Sequence, residues 1–216
     1  AFFEIKYTQV DDLDGRTESR RLFTAPFNIE TESGEHLEAN WVPTYESLTA
    51  PFAVADGVVI PPGDFHFTRY RAEAQSARNR AWRIGGTVWF GDFYDGRLTQ
   101  IETFVNWDVF KGRLHQKLDL QNDFGRLPQG DFVQRLFQMD NVYAFSPRLI
   151  LFGFFQYDSQ SREMGMNARR RWTFRPGSDL FFVWNRNWAH PAGEGRFDLG
   201  PTRDQVALKV RFAWTG

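Results

Sequence analysis

Apolar and polar residues alternate along most of this chain. The pattern is cleanest at 204–214. There Val206, Leu208, Val210, Phe212 and Trp214 share one face, while Gln205, Ala207, Lys209, Arg211 and Ala213 share the other. Period two marks a strand with two unlike faces; on a helix these residues would scatter around the axis. In 101–109, Ile101, Thr103, Val105, Trp107 and Val109 oppose Glu102, Phe104, Asn106 and Asp108. In 113–121, Leu114, Gln116, Leu118 and Leu120 oppose Arg113, His115, Lys117, Asp119 and Gln121. In 167–175, Ala168, Arg170, Trp172 and Phe174 oppose Asn167, Arg169, Arg171, Thr173 and Arg175. Arg170 interrupts that apolar face, and near an interface its long stem can snorkel.

Turn residues separate these runs. The pattern predicts strands near 2–10, 18–29, 36–48, 64–76, 80–93, 97–109, 112–122, 131–144, 148–158, 166–175, 179–188 and 204–214. Helical periodicity is almost absent between them. Parallel strands need crossovers of about a dozen residues or more, so these pair as antiparallel hairpins. Composition does not shift along the chain, and residues 1–216 read as a single domain.

Connection length separates membrane barrels from soluble sandwiches. Pro176-Gly177-Ser178, Ser146-Pro147, Lys111-Gly112 and 31–35 are short. The alternate connections, 189–203, 159–165, 123–130 and 49–63, are longer, with Asp95-Gly96 the exception. Short turns at one end and long loops at the other are the asymmetry of a bacterial outer-membrane barrel, long loops outward. Several predicted strands reach about 11–14 residues, beyond the common 5 or 6. A tilted membrane strand needs about 9–11.

Composition sharpens this reading. Aromatics make up 17% of the chain, with 23 Phe and 8 Trp, yet mean hydropathy is −0.50. Many aromatics in a polar chain fit a barrel that turns alternate residues to lipid and carries aromatic girdles. A soluble sandwich with a Phe-rich core is the alternative. Formal charge is −1, which argues against a general nucleic-acid binder. Cysteine is absent, excluding disulfides, thiolate metal sites and cysteine nucleophiles. The longest apolar run, Leu149 to Phe155, falls far short of the roughly 18 residues of a membrane helix.

A family resemblance rests on Leu127-Pro128-Gln129-Gly130-Asp131-Phe132, Tyr143-Ala144-Phe145-Ser146-Pro147, Gln156-Tyr157-Asp158 with Ser161, Asn167-Ala168-Arg169-Arg170-Arg171-Trp172, and the run from Arg175 to Val183. Upstream, Pro62-Gly63-Asp64-Phe65 and Gly91-Asp92-Phe93-Tyr94-Asp95-Gly96 extend it, so it covers 60–214. This resembles the C-terminal outer-membrane barrel of a bacterial family of uncharacterised function, usually preceded by a periplasmic domain similar to family 9 carbohydrate-binding modules. The resemblance implies an outer-membrane address, a link to carbohydrate binding or uptake, and an N-terminally incomplete barrel. It also implies lipid, lipopolysaccharide and the barrel-assembly machinery as partners, with a periplasmic or membrane partner beside them. Two departures stand out: no sugar-binding-like segment is present, and Thr215-Gly216 follow the aromatic Trp214.

Candidate chemistry is sparse. His36, His66, His115 and His190 form neither HxxxH nor HExxH, so zinc-protease chemistry has no support. Ser146, Ser159, Ser161 and Ser178 lie in predicted turns or loops, and no GxSxG occurs. Asp11-Asp12-Leu13-Asp14-Gly15 lacks the closing Glu of an EF-hand loop and reads as an acidic solvated turn. Gly85-Gly86 lies inside a predicted strand and reads as a bend or bulge. The expectation is therefore a non-enzyme with no catalytic residue, metal or cofactor.

The fold expected is all-β: an antiparallel transmembrane β-barrel of about twelve strands, or the C-terminal part of a larger one, in the bacterial outer membrane. Val206, Leu208, Val210, Phe212 and Trp214 are expected to face lipid. Arg169, Arg171, Arg175, Lys209, Arg211, Glu102, Asp108, Asp119 and His115 are expected to line the lumen. Tyr143, Phe145, Trp172 and Phe174 lie near strand ends, where a girdle belongs. The functions in contention are a pore or transport barrel, a non-conducting barrel anchoring a periplasmic domain or assembly, and a soluble carbohydrate-binding sandwich.

Overall fold

A computed structural model describes residues 1–189 and 199–214. The described residues form fourteen strands and no helix. In chain order these are β1 (Phe2–Asp11), β2 (Thr17–Glu30), β3 (His36–Leu48), β4 (Phe52–Ala55), β5 (Val58–Ile60), β6 (Gly63–Gln75) and β7 (Trp82–Phe93). Then follow β8 (Gly96–Val109), β9 (Leu114–Leu127), β10 (Gly130–Ser146), β11 (Leu149–Asp158), β12 (Glu163–Arg175), β13 (Ser178–Ala189) and β14 (Gly200–Arg211). Twelve of them build one sheet in the order β1-β2-β3-β6-β7-β8-β9-β10-β11-β12-β13-β14, and β4 and β5 form a separate two-stranded hairpin.

Every predicted strand corresponds to one sheet strand. The antiparallel all-β class follows from the alternation itself, because each hairpin turns its apolar residues to the same side as its neighbour's. Closure into a barrel would require β1 to pair with β14. Those strands stand at the two ends of the order, and no ladder joins them among the described residues.

Three loop expectations change. The segment 123–130 is not a long loop: β9 runs to Leu127 and β10 starts at Gly130, leaving only Pro128-Gln129 between them. Gly125, read as a loop residue, sits within β9 against the ring of Phe132. The connection at 159–165 shortens to 159–162, and 49–63 contains the β4–β5 hairpin. Part of 189–203, with His190, lies outside the described residues. β14 ends at Arg211, so Phe212 and Trp214 follow the strand rather than belong to it. Gly85-Gly86 lies in β7 with no register shift there. A Cβ on Gly86 would come 3.0 Å from the Glu102 carbonyl of β8, so close approach explains the glycine better than a bulge.

The chain resolves into two compact units, Ala1–Thr103 with Gln121–Arg135, and Phe104–Leu120 with Leu136–Gly216. In the first, the hydrophobic core is small and local. Val58 and Ile60 of the hairpin and Leu127 of β9 are buried, with Leu48, Phe65, Phe93, Tyr94 and Phe132 packed around them. In the second, Gly177 turns β12 into β13 at φ 75°. A Cβ there would lie 2.7 Å from that of Ala213, so Pro176-Gly177 allows both the turn and the packing of the chain end.

Candidate functional site

Directly paired antiparallel residues point to the same side of a sheet, so register alone assigns the two faces. In the first unit, Trp41 pairs with Tyr70, and Tyr70 with Phe90. The Tyr70 and Phe90 rings stack at 5.5 Å. All three side chains are exposed, as are Ile5, Leu37, Ile84 and Val88.

The opposite face carries the charge. Asn40 pairs with Arg71, and Glu38 with Glu73. The Arg71 guanidinium donates to Glu38 Oε1 and Asn40 Oδ1, both at 3.0 Å, and also ion-pairs with Glu73. His36 lies 3.6 Å from both carboxylates. The Asn40 amide donates to Glu38 at 2.8 Å. Arg71 and Arg21 each lie 5.7 Å from the Trp89 ring. Deeper still, Arg69 is only 6% exposed and donates to the Leu98 carbonyl at 2.5 Å and Gln100 Oε1 at 3.0 Å. Asp123 is 7% exposed and accepts from the Gln121 amide at 3.0 Å.

The distribution is therefore inverted relative to a soluble sheet: polar side chains are buried and large apolar ones face outward. The β4–β5 hairpin lies on the polar side, because its neighbours Phe65 and Phe93 share strand parity with Arg69 and Gly91. Tyr94 links the hairpin to the sheet, with its ring 6.0 Å from Phe52 and 5.1 Å from Phe65. Its hydroxyl donates to Glu46 at 2.5 Å. Burial first, and the Glu46 carboxylate second, raise its pKa above the usual phenol value.

The second unit sorts its residues into an apolar and a polar side as well, although Arg169, Lys209 and Arg211 on the polar side are exposed. Leu151 pairs with Arg170, Arg170 with Phe182, and Phe182 with Leu208. The expected lipid-facing set shares this side up to the strand end, and Arg170 is its cationic interruption. On the other side, Arg171 pairs with Phe181 and Phe181 with Lys209, while Arg169 pairs with Val183 and Val183 with Ala207. The Arg169 guanidinium lies 4.4 Å from the Phe152 ring. Arg211 pairs with Asp179, whose carboxylate accepts from Thr173 at 2.6 Å. Arg175 follows a register shift between Thr173 and Arg175, so its spacing from Arg171 alone does not assign it to this row.

Other expected site residues meet in pairs. His115 Nδ1 lies 2.9 Å from Asp108 Oδ1, and Lys117 Nζ lies 2.7 Å from Asp119. Glu102 belongs to the first unit. Tyr143 and Phe145 meet edge to face at 4.5 Å. Phe174 lies 6.1 Å from Trp172 and 5.7 Å from Phe212.

Sequence reasoning passed over the Arg71 network. Its strands carry the alternation that exposed the arginine row: His36, Glu38 and Asn40 at spacing two, and Arg69, Arg71 and Glu73 likewise. No protein-family model, curated protein or solved structure matches this chain.

Proposed function

We propose that the chain is an outer-membrane β-barrel, or the C-terminal part of one, whose polar face lines a solute path. One observation carries this reading: in the first unit Asn40 and Arg69 are buried on the polar face, while Trp41, Tyr70 and Phe90 on the other face are exposed. In water an exposed apolar face of this extent is unfavourable, whereas against lipid it is the stable arrangement. A bilayer also demands that the outer edges of β1 and β14 be paired, with each other or with further strands of the same barrel. Lipid and lipopolysaccharide would then surround the apolar side, and the barrel-assembly machinery would insert it.

A non-conducting anchor for a periplasmic domain or larger assembly is the second reading. The β4–β5 hairpin favours it, since it covers part of the polar face. Reconstitution into planar bilayers separates the two. A pore gives discrete conductance steps, and excising 52–60 enlarges them. An anchor inserts, acquires protease protection and stays silent. A chain that remains monodisperse without detergent and never inserts would overturn both readings and favour the soluble sandwich.

A further inference from the structure

On the polar face of the second unit, carboxamides replace charges near the β11–β12 turn. Two adjacent cross-strand rows build the patch. In one, Gln138 pairs with Gln156, Gln156 with Gly165, Gly165 with Asn187, and Asn187 with Arg203. In the next, Asn167 pairs with Asn185 and Asn185 with Gln205. A cavity of about 550 Å³ is lined by Gln156, Gly165 and Asn187 of the first row and by Asn167, Asn185 and Gln205 of the second. Gly165 helps to keep it open: a Cβ there would meet only Asn187 Oδ1, at 3.6 Å.

The amides partly bond one another. Asn167 donates to Asn185, and Gln138 donates to Gln156 at 3.2 Å. Each carboxamide has two donor hydrogens and two acceptor lone pairs, so one mutual bond leaves most of its capacity unused. Groups that donate and accept without net charge match hydroxyls, which do the same. Ser161, Asp158, Glu163 and Arg203 complete the polar lining, with a surplus of one negative charge, which disfavours an anion. Phe154 adds an apolar surface for a ring's C–H groups. The volume falls within the usual range of about 300–1,000 Å³ for small-molecule sites.

We propose that this cavity binds a neutral polyhydroxylated solute, a short saccharide or a polyol. The inference deepens the pore reading and rests on it for the route by which the solute arrives; the binding chemistry needs only the fold. The test is titration calorimetry on the folded protein in detergent micelles. The probes are maltotriose, mannotriose, xylotriose and sorbitol, with trigalacturonate as the anionic counterpart. At least one neutral probe should bind saturably, and trigalacturonate more weakly. An Asn185→Leu/Gln205→Leu variant should weaken Kd by about tenfold or more, because it removes hydrogen-bonding groups from a polar site. Asn185→Asp, nearly isosteric, preserves shape if the leucine pair does not fold, and should also weaken binding. No saturable binding across the neutral panel, tighter binding of trigalacturonate, or unchanged affinity in a folded variant would overturn the proposal. Conduction without binding would sink this inference alone; binding without insertion would sink the membrane reading alone.

Discussion

Gly125 of β9 lies under the aromatic ring of Phe132 in β10, so closely that a Cβ at position 125 would fall inside the ring's van der Waals envelope. Phe132 in turn packs against the buried cluster of Val58, Ile60 and Leu127. One missing methyl group thus lets an aromatic ring seat the hairpin on the polar face. Gly125→Ala should destabilise the fold by about 1–3 kcal/mol, the usual cost of overpacking. A double-mutant cycle in denaturant melts checks the assignment. Gly125→Ala added to Phe132→Ala should cost far less than it does alone. Additive effects would mean that the ring and the glycine do not meet.

This contact also explains why part of the fold was hidden in the sequence. The twelve sheet strands were legible because each repeats a two-residue period over many positions. The β4–β5 hairpin is too short for that. Phe52–Ala55 and Val58–Ile60 are apolar at every position, and so short an apolar run carries no period. Gly125, Pro128 and Gly130 look like loop punctuation in sequence, yet only Pro128-Gln129 turns the chain. Gly125 answers to the bulk of Phe132, which no local pattern records. In the polar network, the spacing of Arg69, Arg71 and Glu73 is readable. That Arg71 meets Glu38, 33 positions earlier, depends on register, which alternation leaves open by steps of two.

The facing of β14 is directly testable. Leu208 is 67% exposed and pairs with Phe182, whereas Ala207 pairs with Val183 on the arginine side. Leu208→Arg should impair membrane assembly, because a cation near the midplane of a lipid-facing strand costs about 2–4 kcal/mol. Ala207→Arg should be milder, since it adds charge to a polar surface. Heat-modifiable migration of the two variants reports the outcome, and equal assembly would reverse the assignment.

The turn between β2 and β3 carries an acid-sensitive contact. The Glu35 carboxylate accepts from Ser33, from Thr31 at 2.6 Å and from Arg80 at 2.5 Å. These bonds, Ser33 first, lower its pKa from 4.5 to about 2. A depressed carboxylate favours the folded turn fully above its unfolded value near 4.5, and this contribution is lost as pH falls through about 2. A carboxyl carbon-13 titration should therefore place the Glu35 midpoint near 2 in the native protein. Ser33→Ala should move it upward. A native midpoint near 4.5 would mean that the three bonds do not hold the carboxylate in solution.

Arg169, Arg171 and Lys209 form a cationic group on the second unit's polar face, apart from the Asp158 and Glu163 end of that face. Arg169 and Arg171 sit at spacing two on β12 and share a side; Phe181 joins Arg171 to Lys209 across β13. No carboxylate forms an ion pair with any of the three among the described residues, so internal neutralisation does not cancel them. A guanidinium keeps its charge at every accessible pH. On the lipid side, each would cost about 2–4 kcal/mol at the midplane, so the aqueous interior is the side they favour. In a conducting barrel these three cations should therefore bias the ion ratio toward anions. Under a salt gradient, the reversal potential of an Arg169→Gln/Arg171→Gln variant should shift toward cation selectivity relative to wild type. Arg175 is left intact because the register shift at Thr173 separates it from this row. An unchanged ion ratio in a conducting protein would remove the selectivity claim. Spin labels at 169 and 171 that report lipid rather than water would remove the inward placement as well.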